Sequence, residues 1–194
     1  DYVDIFLLPM VCKRETILFE PVLNVLKAFK KQGKAKYLGL ATHDMCEEAL
    51  YAAADTGIFD VVMIAYNYKV SNKESLHKAM DYASKAGMGI IGMKSTAGAF
   101  RDKNRTSPLN TDAALKWVLQ NKNISTIVSG MSNIEELEKN MAMLNNLKMT
   151  DQELQDLNLA NLGSEPSLYC LQCKNCVTQC PQNLDIPTIM RSYM

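Results

Sequence analysis

The chain has 194 residues, 47% of them hydrophobic, enough for one sizeable core or one core with a small appendage. Lys and Arg total 21 and so do Asp and Glu, so the net charge is zero and there is no basic footprint for nucleic acid or an anionic membrane. No run reaches the ~18 apolar residues of a membrane span, and no charged-then-apolar leader opens the sequence.

Residues 2–8 (YVDIFLL) already have the make-up of a buried strand, so further residues are expected upstream, and any targeting signal with them. A helix follows over 20–31, with Val22, Leu23, Val25, Leu26 and Phe29 at helical spacing and Gly33 as its stop. Residues 36–40 (KYLGL) read as a second strand. An alanine-rich helix over 45–56 then ends at Gly57. Residues 59–65 (FDVVMIA) are a third strand, followed by a helix over 73–86 closed by Gly87. Residues 89–93 (GIIGM) are a fourth strand. After a polar loop to about residue 110, a helix spans 112–120 with Thr111 as its N-cap. Residues 125–128 (STIV) form a fifth strand, and a helix follows over 134–147. Thr150 and Glu153 have the spacing of a capping box and start one more helix, to about residue 159. Residues 161–167 (NLGSEPS) read as a linker, which divides the chain into a body, 1–160, and a tail, 161–194.

Strand starts recur about every 24 to 36 residues, the length of a βα unit. The strands are apolar throughout, as parallel strands covered on both faces are. The pattern therefore predicts a parallel α/β fold. It does not separate an open doubly wound sheet from part of a (β/α)8 barrel, and five units are too few to close eight strands.

Four of the six cysteines lie in the tail, as Cys170, Cys173, Cys176 and Cys180, followed by Pro181. Cys12 and Cys46 stand alone. Disulfide-bonded secreted domains spread their cysteines more evenly. This distribution favours a reduced compartment, the cytoplasm, and a metal or cluster site. The spacing C-x2-C-x2-C-x3-C-P is the run with which bacterial ferredoxins hold a [4Fe–4S] cluster. With only Cys12 and Cys46 left over, one cluster on all four tail cysteines is the economical reading. Structural zinc and a pair of disulfides are the alternatives. Zinc sites separate two C-x2-C knuckles by a longer loop, and disulfides between such close neighbours are strained.

The segments DYVDIFLL, GKAKYLGLATH, DVVMIAYN, GIIGMKS, ALKWVLQN and STIVSGMSNIEELEKN follow one another as in the aldo/keto reductases, and the chain resembles that family's fourth to eighth βα units. The tail CLQCKNCVTQCPQNLDIP resembles the family's iron–sulfur branch. The resemblance implies the C-terminal five βα units of a (β/α)8 barrel followed by a small helical cluster segment. It implies NADP-dependent reduction of a small-molecule carbonyl, with hydride transfer assisted by a Tyr, an Asp, a Lys and a His. The first three belong to strands upstream of this sequence. The His position is Pro9, which has no proton to give. The positions that contact the nicotinamide carboxamide are Ala41, Thr42 and Met63, and the stacking aromatic is replaced by Met93. The adenine-phosphate end is better kept, in Ser129, Gly130, Ser132, Asn133, Glu136 and Asn140. Ser132 and Glu135 also form a capping box, and a capped helix N-terminus is also where phosphate binds.

Residues that follow barrel strands face the active site; here they are His43, Tyr66, Asn67, Lys94 and Ser95. His43 is a candidate acid or base, or a loop histidine bonded to backbone. Lys94 is a candidate for holding a phosphate or a substrate carboxylate. His77 sits among Lys73, Glu74 and Lys78 and is expected on a solvated helix face. Cys12 and Cys46 read as ordinary thiols, and the methionines as core. Two functions follow. One is an oxidoreductase with NADP and one [4Fe–4S] cluster. The other is an electron-transfer or ligand-binding barrel without hydride chemistry, working with a redox partner protein, in which the cluster is the active or structural element.

Overall fold

The structure, a computed structural model, describes residues 1–97, 109–162, 176, 177, 179–182 and 184–193. Five strands, β1 (Val3–Pro9), β2 (Ala35–Thr42), β3 (Val61–Ala65), β4 (Gly89–Met93) and β5 (Ile124–Val128), form one sheet in the order of the sequence. All four pairings are parallel. A doubly wound sheet reverses its strand order at a switch point, whereas this one never does, so the arrangement is the arc of a barrel. Between and after the strands lie α1 (Arg14–Ile17), α2 (Glu20–Lys31), α3 (Cys46–Thr56), α4 (Lys73–Lys85), α5 (Thr111–Leu119), α6 (Ile134–Met143), α7 (Asp151–Leu162) and α8 (Ile186–Tyr193). The short helix α1 has no counterpart in the sequence reading, and the terminal helix α8 lies in the tail, for which a small helical segment is expected without bounds.

Alternate strand residues point to opposite faces. On the helix side, Leu38, Leu40, Val62, Ile64 and Ile90 are fully buried. They pack with Leu26, Ala49, Leu50, Leu76, Met80 and Val118 of the helices in one core. The opposite face carries Ile5 paired with Tyr37, Leu7 with Gly39, Pro9 with Ala41, and Ala65 with Met93. It is apolar but much more open: Ile5 and Tyr37 are each 43% exposed. The expectation of strands covered on both faces holds for the helix side, whereas among the described residues nothing covers the inner face of the arc at Ile5 and Tyr37. Gly39 lies on that face. A Cβ there would stand 2.5 Å from both Leu7 Cδ2 and the Val61 carbonyl oxygen, so only glycine lets the first three strands approach this closely.

The caps explain where helices begin and end. Pro21 stands in the first turn of α2, where its missing N–H costs nothing. Gly33, Gly57 and Gly87, each with positive φ, follow α2, α3 and α4 as the sequence predicts. Thr150 and Glu153 form the expected capping box: the Thr150 N–H donates to Glu153 Oε2 (2.7 Å) and the Glu153 N–H to Thr150 Oγ1 (3.2 Å). Two other caps are corrected. The cap of α5 is Asn110, whose Oδ1 accepts the Ala113 N–H at 3.1 Å, and Thr111 is already helical. The cap of α6 is Asn133, whose Oδ1 accepts the Glu136 N–H at 2.8 Å. Asn133 is the last residue with extended backbone, so Ser132 and Glu135 are one position too early. Helix α6 also stops short of residue 147: Asn146 Oδ1 takes the Lys148 N–H (3.1 Å) in a local turn that competes with helix.

The chain divides into two compact units, Asp1–Leu157 and Asn158–Met194. In the second, the described residues include a turn at Cys176–Cys180 and helix α8. There the Gln179 N–H donates to the Cys176 carbonyl (3.3 Å) and the Cys180 N–H to the Val177 carbonyl (3.2 Å). Asp185 starts α8, accepting the Thr188 hydroxyl at 2.7 Å. No helix among the described residues is long and apolar enough to cross a membrane.

Candidate functional site

Every described non-glycine residue with positive φ lies just beyond a strand's C-terminal end or at the start of the helix that follows. These are Met10 after β1, Met45 before α3, and Lys94 and Ala97 after β4. Left-handed backbone costs an L-residue about 1–2 kcal/mol, and such strain concentrates where a site needs a particular geometry. The cause at Lys94 is visible. The Met93 carbonyl takes the Tyr66 N–H (3.0 Å), and the Asn67 side-chain amide donates to the Lys94 carbonyl (3.2 Å). Asn67 Oδ1 in turn accepts the Lys69 N–H (3.0 Å), so the loop after β3 holds the loop after β4 in its turn.

Lys94 and His43 both reach solvent on this rim. Desolvation first and the Lys94 ammonium second hold the His43 imidazole below its ordinary value, against a smaller opposing pull from Asp44. Two of the sequence-derived candidates therefore interact electrostatically across the β2 and β4 loops. The β2 loop is shaped by Thr42, whose hydroxyl donates to the Asp44 carbonyl (2.6 Å) and accepts the Asp44 N–H (3.3 Å). Ser95 is buried beside Lys94, and Tyr68 is buried in the β3 loop. Neither hydroxyl has a hydrogen-bond partner among the described residues. The only other such atom is Asp112 Oδ1, which has the Lys139 ammonium at 3.5 Å. A buried unpaired hydroxyl carries a desolvation penalty that a ligand's polar group relieves.

Tyr66 does not face this rim. Its ring turns into the helix layer, fully buried, with its hydroxyl 2.7 Å from His77 Nε2 and 3.1 Å from the Asn121 amide that donates to it. His77 is accordingly not on a solvated face. It is half-buried, because a tyrosine two residues beyond Ile64 projects to the same side as Ile64. The period of two had carried that signal. Cys46 is buried, with its thiol pushed up to about 12, chiefly by burial, and is inert as expected.

Beyond β5, Ser132, Asn133 and Glu136 are exposed around the N-terminus of α6, Asn140 is half-buried farther along the helix, and Ser129 and Gly130 precede them. The Glu136 carboxylate accepts the Ser132 N–H at 2.6 Å. The site thus offers hydroxyls, side-chain amides and a helix N-terminus, with one carboxylate among them. On the inner sheet face, Ala41, Met63 and Met93 offer no hydrogen-bonding side chain.

In the second unit Cys176 and Cys180 are free, half-buried thiols on one turn. Cys170 and Cys173 lie outside the described residues. Among the described residues no group of three or more His, Cys, Asp or Glu is placed to hold a metal.

Comparison with known proteins gives the family. No curated protein sequence matches the chain. Among solved structures, it is similar to the aldo-keto reductase AKR11C1 from Bacillus halodurans. The apo form has 15% identity and a TM-score of 0.61, covering 82% of this chain and 62% of that one. The holo form has 15% identity and a TM-score of 0.63, covering 82% and 59%. The thermostable aldo-keto reductase Tm1743, in complex with the inhibitor epalrestat, matches with 20% identity and a TM-score of 0.60, covering 82% and 60%. These likenesses establish the fold, and the chain spans about three fifths of the length of the structures it matches. The model of the aldo/keto reductase family matches residues 1–112, more than half of the 194. The chain belongs to the aldo/keto reductase family.

Proposed function

We propose that the complete protein is an oxidoreductase that binds a nicotinamide dinucleotide, NADP, over the C-terminal ends of the strands and reduces a small-molecule carbonyl. The observation that carries this reading is the rim itself. His43 feels the Lys94 charge there, left-handed non-glycine residues gather there, and the buried hydroxyls of Tyr68 and Ser95 have no partner among the described residues. Ser129, Gly130, Ser132, Asn133 and Asn140 fit the adenosine end by their donors, and Glu136 as a hydrogen-bond acceptor. The bound cofactor supplies the hydride. This chain's residues hold the dinucleotide, place Lys94 against an anionic group of cofactor or substrate, and present His43 as the acid or base, which in reduction gives a proton to the carbonyl oxygen and regains one from solvent. Titrating NADPH into the intact protein tests this. Saturable change in its fluorescence, weakened by Lys94→Met, supports the reading; no change up to millimolar cofactor overturns it.

A second reading keeps the barrel and drops hydride chemistry. It is favoured by Pro9, Ala41 and Met63, which give the inner face neither an acid nor a carboxamide partner. Under it the protein works with a redox partner, and cluster reduction proceeds without carbonyl turnover.

Under both readings the tail, residues 161–194, holds one [4Fe–4S] cluster on Cys170, Cys173, Cys176 and Cys180. The spacing supports this, and the free thiols of Cys176 and Cys180 on one turn fit two of the four ligands. Protein purified without oxygen then contains iron and labile sulfide and gives an EPR signal on reduction. Zinc alone, or a disulfide, removes the cluster from the reading.

A further inference from the structure

We infer that the outer helix layer holds a second site, for a small aromatic carboxylate, in an open groove of about 460 Å3 between α4, α5 and the segment that leads into α7. Tyr66 forms its floor. Lys73 and His77 come from α4, Trp117 from α5, Gln120 and Asn121 from the turn beyond it, and Lys148, Met149 and Leu154 from the far wall. The volume lies within the range of small-molecule sites, roughly 300–1,000 Å3.

Three features select the ligand. The first is charge: two lysines and a histidine line the groove and no carboxylate does. Lys30, Lys116, Lys122 and Lys139 each have an acidic partner, whereas among the described residues Lys73 and Lys148 have none. The second is the aromatic wall. The Lys73 ammonium stands 4.9 Å over the Trp117 ring, and that ring lies 5.2 Å from the Tyr66 ring, tilted by 37°. A flat apolar body against Trp117, Met149 and Leu154 places its anionic head at the lysines. The third is the polar floor. The Tyr66 hydroxyl accepts from the Asn121 amide and pairs with His77 Nε2 at 2.7 Å. The floor is therefore satisfied and fixed before any ligand arrives, and the unmatched charge is left at the mouth. Tyr66 points away from the sheet's inner face, so this groove is separate from the rim of His43 and Lys94.

His77 supplies a readout. Desolvation and then Lys73 hold it below its ordinary value, with Asp81 opposing, and Lys148 faces it from the far wall. An anion seated beside Lys73 raises it. Trp117 is the only tryptophan of the 194 residues and supplies another.

The experiment titrates benzoate into the intact protein while following tryptophan fluorescence, with benzamide as the neutral control and Trp117→Phe to assign the signal. The His77 C2 proton is followed by NMR against pH, with and without benzoate, using His77→Gln for assignment. The expected result is saturable quenching by benzoate alone, an upward shift of His77, and about tenfold weaker binding in a K73M/K148M double variant, whose exposed side chains leave the fold intact. An equal response to benzamide, no response, or benzoate binding unchanged in the double variant overturns the site.

Discussion

The two ends of the sheet solve the same backbone problem with different residues. At the ends where strands begin, tight turns out of α2, α3 and α4 are made by Gly33, Gly57 and Gly87, and each has open space where a Cβ would go. Where strands end, the same left-handed backbone is imposed on Met10, Met45, Lys94 and Ala97. The first end is also latched. Asp60, just before β3, accepts the Leu38 N–H at 2.9 Å and the Lys30 ammonium at 2.8 Å, while its own N–H and carbonyl bridge Leu38 and Gly89. At the second end, among the described residues, the buried hydroxyls of Tyr68 and Ser95 are unpaired and Lys94 is exposed. One end is latched for stability and the other carries the strained backbone, the two ends between which barrels divide stability and function.

Removing the latch gives the largest effect. Asp60→Ala leaves the Leu38 N–H without its acceptor and costs about 2 kcal/mol in chemical denaturation; the half-exposed Lys30 pair adds little to that. NADPH binding stays unchanged, and a loss of binding without a loss of stability would put the functional end on the wrong side of the sheet. Next come matched substitutions at the two ends. Gly57→Ala forces a Cβ into φ +62° and costs about 1 kcal/mol. Lys94→Gly relieves the same conformation and gains about 0.5 kcal/mol, because the flexible unfolded chain offsets part of the relief. It weakens NADPH binding at the same time. If both variants move stability in the same direction, the contrast between the ends is broken.

Much of this fold was legible in the sequence. Continuous apolar runs mark parallel strands, and Gly33, Gly57 and Gly87 mark the helix ends, because these signals act within a few residues. The choice between barrel arc and doubly wound sheet was not legible without the resemblance, since strand order is decided by packing between distant segments. The caps of α5 and α6 were misplaced by one residue each, because Asn110 competes with Thr111, and Asn133 with Ser132, for the last extended position. On the rim, the loop positions of His43 and Lys94 could be read from the chain, but their interaction required β2 and β4 to be joined through β3. The pairing of His77 with Tyr66 was hidden for a similar reason: the charged neighbours of His77 along α4 suggested solvent, while its partner lies eleven residues earlier, on β3's outward-facing side.

The smallest effect is the most informative about the rim. His43 sits below its ordinary value of ~6.5, so the folded state favours its neutral form. Its contribution to stability is then present above that value and is lost as pH falls below it. Lys94→Met removes the neighbouring positive charge, moves the His43 titration upward and shrinks the acid-side loss. Asp44→Asn removes the one opposing pull and moves it further down. Lys73→Met, out in the helix layer, leaves it where it was. The C2 proton of His43 reads all three by NMR. Displacements of opposite sign from Lys94 and Asp44 require that the loops after β2 and β4 form one electrostatic unit. If Lys94→Met moves nothing, His43 is only a loop histidine. The rim then loses its candidate acid or base, and the reading without hydride chemistry becomes the stronger one.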